Sequence, residues 1–199
     1  MELANADDPA RITAALRESV RRKLDAWPAN AATLGRLRED LQHKVSFHLM
    51  APMTEAYFFA DPSALARAIA PLPARPSRFD PETDVEAFTV DDPDYLGPPT
   101  DPTSRWRTAT GRQGHPKRYL AYLTDVGPDG GYRESRQGVD ALGGLDWPRV
   151  LRRPVHTRFA RSLLADLADM LGAPSGRLAA EPTHPLTWPP PRDPVLRNL

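Results

Sequence analysis

One carboxylate in this chain stands apart from the rest. Glu55 opens the run EAYFF, so Ala56, Tyr57, Phe58 and Phe59 follow it directly. Apolar neighbours strip water from a carboxyl group, raise its proton affinity and keep any metal ion it binds dry. Glu55 is therefore a candidate catalytic acid or metal ligand. The competing reading is a first-turn acid favoured by a helix dipole. Geometry argues against Asp61 as a co-ligand. Six residues of helix turn through about 600°, which leaves the two side chains about 120° apart. Asp61 before Pro62 reads instead as a helix cap.

A second cluster is cationic. His115, Lys117 and Arg118 surround Pro116 at an expected helix start, where free N–H groups and the dipole favour an anion. Lys117 and Arg118 are candidates for contacts to a phosphate or nucleic-acid backbone. The alternative is a solvated helix face with His115 near the cap. Arg133, Arg136, Arg149, Arg152, Arg153, Arg158 and Arg161 extend the bias, so the C-terminal third is locally positive and suits an acidic partner. Other chemistry is sparse. No G-x-S-x-G elbow, Walker A loop, G-x-G-x-x-G or H-E-x-x-H occurs. The five histidines (His43, His48, His115, His156, His184) have no ligand spacing, and His48 reads as a half-buried partner. Cysteine is absent, which excludes disulfides, thiolate metal sites and a Cys nucleophile.

Several elements must position these groups. Asp8 and Pro9 start a helix whose Ile12, Leu16, Val20, Leu24 and Trp27 share one face, and Pro28 ends it. A second helix is predicted over residues 32–42. Val45, Phe47 and Leu49 alternate with Ser46, His48 and Met50, the period of a strand that stops at Ala51–Pro52. Residues 54–59 then read as a helical turn, and Asp61–Pro62 starts a helix reaching about residue 70. Glu55 thus falls just past the expected strand, where α/β folds collect functional side chains.

Residues 71–114 differ in kind, with clustered prolines and scattered acids. They read as an insertion, a lid-like segment or a partly disordered stretch. Phe79, Phe88, Tyr95 and Trp106 argue that some of it packs down. Helices are predicted again from Pro116 to about Thr124 and over residues 133–142, with Val139 and Leu142 inward. A capped turn follows over residues 146–151. The last helix carries the cleanest stripe, Phe159, Leu163, Leu164, Leu167, Met170 and Leu171, with Gly172 as its stop. The tail is Pro-rich.

Composition bounds the function classes. The 199 residues hold one ordinary domain with irregular appendages; 40% are hydrophobic, 26% charged, and 23 are proline. Net charge is zero, so no global field draws in nucleic acid or an anionic membrane. Arginine dominates the basic residues, with only Lys23, Lys44 and Lys117 as lysines. No apolar run approaches the roughly 18 residues of a membrane span. The start, MELANADDPAR, lacks a basic n-region and an apolar h-region, and cytoplasmic residence is the expectation.

Four segments together carry a resemblance. They are PMTEAYFFADPSAL (residues 52–65), HPKRYL (115–120), YRESRQGVDALGGLDW (132–147) and FARSLLADLADMLG (159–172). In this order they resemble an uncharacterised, Toprim-related family, distantly similar to the metal-dependent nuclease domains of OLD-type ATPases. The resemblance implies an α/β fold with a small, mostly parallel sheet flanked by helices, and a helix-rich C-terminal half. It also implies acids that hold Mg²⁺ for phosphodiester hydrolysis, two ions activating water and stabilising the leaving oxygen. Glu55 carries over as the acid after a strand. Glu2, in MELAN, is the second metal-ligand candidate, its partner acid expected upstream of Met1. The chain then divides into a partial Toprim-like region (1–70), a Pro-rich acidic insertion (71–114), a helical region (115–173) and a Pro-rich tail (174–199). It reads as the C-terminal part of such a domain, active as a nuclease-like hydrolase or a degenerate remnant of one. A different class is a non-enzymatic interaction module, in which the aromatic run 57–59 and the Pro-rich tail dock a protein such as an ATPase.

Overall fold

The computed structural model describes residues 9–70, 72, 74–97, 111–126, 131–152, 156–173 and 194–199. These residues fall into two compact units, one drawn from Met1–Leu49 and Arg158–Leu199, the other from Met50–Thr157.

In the first unit, α1 (Pro9–Asp25) and α2 (Ala31–Lys44) are joined by a turn around Pro28. Asn30 caps α2, its side-chain oxygen accepting from the Thr33 N–H at 2.9 Å. The third helix of this unit, Arg158–Met170, is labelled α9 in the chain order that follows. Its stop is Gly172, in the left-handed region at φ 63°, as its sequence position suggests. The core is small. Val195, Leu196 and Leu199 are buried, with Leu16, Val20, Leu41 and Phe47 packed against them.

The expected α/β sheet is not what the described residues form, because no strand occurs among them. The cause is visible at residues 45–50, where the alternation predicted a strand. The backbone is extended at Val45, with φ −124° and ψ 123°. Its polar groups, however, are met without a neighbouring strand. Arg197 N–H donates to Val45 C=O at 2.9 Å, and the Asn198 amide both accepts from Phe47 N–H (2.9 Å) and donates to Phe47 C=O (2.7 Å). A side-chain amide satisfies the edge that a ladder would have used. The same finding removes the small parallel sheet of a Toprim-like region from these residues.

The second unit is built on short helices, α3 (Ala56–Phe59), α4 (Pro62–Ile69), α5 (Pro93–Leu96), α6 (Pro116–Thr124), α7 (Val139–Gly143) and α8 (Trp147–Val150). Asp side chains at Asp61, Asp92 and Asp146 cap α4, α5 and α8, each ahead of or one residue before a proline in the first turn. The core is aromatic. Phe59 has Phe88 at 5.0 Å, Phe79 at 5.3 Å and Tyr119 at 5.7 Å between ring centroids, and Tyr95 lies 5.0 Å from Tyr119. The described part of 71–114 thus supplies core rather than a lid: Phe79, Val85, Phe88, Val90 and Tyr95 are all buried. Trp106 lies outside the described residues.

Two predicted faces are turned differently. Before α7 the chain makes a π-helical turn, Glu134–Gly138. Its extra residue shifts the helical phase. Val139 and Leu142, expected inward, are 62% and 43% exposed, while Ala141 is buried. On α9, Leu167, Met170 and Leu171 are exposed and Ala160, Arg161 and Ser162 are buried instead. No helix among the described residues is long and apolar enough to cross a membrane.

Candidate functional site

Glu55 sits at the N-cap position of α3, but its backbone is already helical and its side chain makes no capping bond. The aromatic residues that follow turn into the core: Tyr57, Phe58 and Phe59 are 0%, 1% and 2% exposed. They carry Glu55 down with them, and it is only 6% exposed. The run 57–59 is therefore core and offers no docking surface. Burial of this acid was legible from its neighbours.

What meets Glu55 was not legible. The segment that leads into the π-helical turn brings Tyr132 to it, and the first residue of the turn brings Glu134. Tyr132 Oη donates to Glu55 Oε1 at 3.4 Å, a long bond. The Glu55 and Glu134 carboxyl groups share a hydrogen bond. On the far side of Glu134, Lys117 Nζ lies 2.8 Å from its Oε1. The cluster thus grades from a buried acid to an exposed ion pair, since Glu134 and Lys117 side chains are 58% and 41% exposed.

Depth sets the electrostatics. Burial pushes the Glu55 carboxyl above its ordinary 4.5, and the shared bond and charge of Glu134 push the same way. Glu134 is held below 4.5, chiefly by its hydrogen bond to Lys117. Burial and the charge of Glu55 raise the Tyr132 phenol far above its usual range, so it stays a donor. The two neighbouring acids thus have proton affinities displaced in opposite directions, Glu55 upward and Glu134 downward.

Local backbone choices hold this arrangement. Tyr132 N–H donates to Thr124 Oγ1 at 2.7 Å, tying it to the end of α6. At Gly138 a Cβ would stand 2.5 Å from Tyr132 Oη, so only glycine leaves that hydroxyl its place beside Glu55. Lys117 is set by α6, where His115 caps the helix and its Nδ1 accepts from Arg118 N–H at 3.4 Å. The capping reading of His115 holds.

The other site residues fall as follows. Lys117 is brought to the cluster, but its ammonium is engaged by Glu134. Arg118 is half-buried on α6. Glu2 lies outside the described residues. Asp61 is a cap: fully buried, its Oδ1 accepts from Ser63 N–H (3.0 Å) and Oγ (2.8 Å), and its Oδ2 from Asp146 N–H (3.0 Å). Burial works upward on its pKa, yet these donors hold it below the ordinary carboxylate value. His48 pairs with Asp166 at 2.9 Å, the half-buried partner expected of it.

Sequence reasoning missed Tyr132 and Glu134. Their one signal was membership of the segment 132–147, which carried part of the resemblance. Among the described residues no three His, Cys, Asp or Glu side chains converge as a metal site, so the donor set near Glu55 is a pair of carboxyls.

Fold and site define a class of protein: helical in its described residues, aromatic-cored, with a buried carboxyl beside an exposed one at a π-helical turn. Set against family models, curated proteins and solved structures, the chain matches none.

Proposed function

We propose that the Glu55–Glu134 pair binds one Mg²⁺ in the service of phosphodiester chemistry on a nucleic acid. One observation carries this reading. Three of the segments that gave the Toprim-related resemblance, residues 52–65, 115–120 and 132–147, each send side chains into a single cluster: Glu55, Lys117, and Tyr132 with Glu134.

The donor set fits one such ion. Mg²⁺ is commonly held by one or two carboxylates, with water and substrate phosphates completing its shell. The pair is too small for the two-ion arrangement that the resemblance implied. When bound, the ion supplies Lewis-acid polarisation of the phosphodiester. Tyr132 orients the Glu55 carboxyl, and the aromatic floor excludes water beneath it. Lys117, standing at the exposed edge, offers its ammonium to a phosphate oxygen. Glu55 must give up its proton to ligate, so affinity rises with pH towards and through its raised pKa.

Calorimetric titration with Mg²⁺ and Mn²⁺ tests the proposal. Binding is expected in the native protein, weaker by about tenfold or more in Glu55→Gln and Glu134→Gln. No heat from either ion, or unchanged binding in Glu55→Gln, would refute it.

A second reading has its own observation. Apolar side chains stand at the surface of the first unit, Trp27 at 55% and Leu171 at 80% exposed, and suit a protein partner such as an ATPase.

A further inference from the structure

The exposed edge of the carboxyl cluster is held by a lysine. Lys117 Nζ lies 2.8 Å from Glu134 Oε1, so the carboxylate that a metal ion would need already carries a cation. The pair joins two elements, Lys117 in the first turn of α6 and Glu134 at the opening of the π-helical turn. The Lys117 backbone is fixed, because Tyr119, Leu120 and Leu123 of the same helix are buried. Its ammonium is not fixed: it rides on a flexible four-carbon stem.

Exposure makes this pair easy to part. The Lys117 and Glu134 side chains are 41% and 58% exposed, and water screens an ion pair that stands so far out. A divalent cation brings twice the charge to the same carboxylate, and two cations crowded on one carboxylate repel each other. The balance of charge at the edge then changes. In the metal-free cluster Lys117 and Glu134 cancel. With Mg²⁺ held by two ionised glutamates, metal and carboxylates cancel instead, and the lysine charge is left over. One spare positive charge matches the single negative charge of a phosphodiester.

We propose that Lys117 is a place-holder for the metal ion: its ammonium occupies Glu134 in the metal-free protein, gives it up when a divalent cation binds, and only then takes a phosphodiester oxygen. On the reading of the carboxyl pair as a Mg²⁺ site, on which this rests, the cation thus binds before the nucleic acid. Linkage makes the effect reciprocal, so a bound phosphodiester tightens the cation by the same factor.

Lysines are few enough to watch one by one, since only Lys23, Lys44 and Lys117 occur. The full chain labelled with ¹³C at lysine Cε gives one NMR signal for each, and Lys117→Met assigns the third by its absence. Mg²⁺ is expected to move the Lys117 signal to where it stands in metal-free Glu134→Gln, while Lys44, paired with Asp40 on α2, stays put. By calorimetry Lys117→Met should bind Mg²⁺ about threefold more tightly than the native chain, having lost the competitor. Mg²⁺ should strengthen binding of a dinucleotide, which has one phosphodiester, about fivefold or more in the native chain and by less in Lys117→Met. Both substitutions fall on exposed side chains, and circular dichroism checks the fold. The exchange is wrong if Mg²⁺ binds without moving the Lys117 signal, or if Lys117→Met binds it more weakly, which would make the lysine a group that orients Glu134 for the metal. Equal strengthening of the dinucleotide in both proteins would also overturn it. No Mg²⁺ binding by the native chain would instead refute the metal site itself, and the exchange with it.

Discussion

Glu55 holds its proton more tightly than Glu134, because one is 6% exposed and the other faces water and a lysine. That difference has a sign in stability. A carboxyl whose folded pKa is raised favours folding most when protonated, below its unfolded value near 4.5. Its contribution is lost as pH rises from there through the raised value. Glu134 works oppositely: its contribution is present above 4.5 and lost as pH falls through its lowered value. Glu55→Gln removes the first effect while keeping an acceptor for Tyr132. Thermal melts in a chelator should show its Tm gaining on the native protein as pH climbs above about 4.5. Parallel curves across pH would contradict the raised Glu55 pKa. Gly138→Ala probes the same site from the backbone. Its methyl must displace the Tyr132 hydroxyl, so Mg²⁺ affinity should fall in titrations while the helical signal persists.

The elements are held as much by side-chain caps as by packing. Asp61 shows how one residue type serves two elements. It caps α4 through Ser63 and reaches Asp146 at the start of α8, all without exposure. Asp61→Ala leaves those donors unsatisfied and should destabilise by about 2 kcal/mol, read from urea denaturation. At the other end of the chain, Asn198 replaces a strand's ladder for Phe47, and Arg197 reaches Asp166 at 2.7 Å beside His48. Burial works upward on the Asp166 pKa, but Ser46, His48 and Arg197 together hold it below the ordinary carboxylate value. The alternation at residues 45–50 was a true signal of extended backbone and a false one of a sheet. Periodicity reports which way side chains point and is silent on what pairs with the main chain.

At the scale of the molecule, the aromatic cluster of the second unit is the most densely ringed core among the described residues. Phe59 touches three rings there, and Phe59→Ala should cost about 3–5 kcal/mol, measured by chemical denaturation. Tyr119, its phenol pushed up to about 12 by burial and by Asp92, accepts from Arg78 N–H and donates to Asp92, so the polar atom in this core is satisfied. Among its described residues the first unit buries a smaller apolar set and leaves Trp27, Leu167, Met170 and Leu171 exposed.

Local pattern alone determined much of this protein. Prolines, capping aspartates and 3.6-residue stripes marked α1, α2, α4, α6 and α9, because helix starts and faces are written in short-range spacing. The burial of Glu55 was written the same way, in four apolar neighbours. Only the tertiary structure decided the fold class, since the expected strand found an asparagine side chain where a sheet partner was required. It also supplied Glu134 and Tyr132 to Glu55 from almost 80 positions away, as the 77-residue separation of the Tyr132–Glu55 bond records. A π-helical turn, whose extra residue no apolar period announces, precedes the outward-facing Val139 and sets Glu134 beside the buried acid. Sequence spacing reads along one element; a site built from three elements exists only once the core has packed them together.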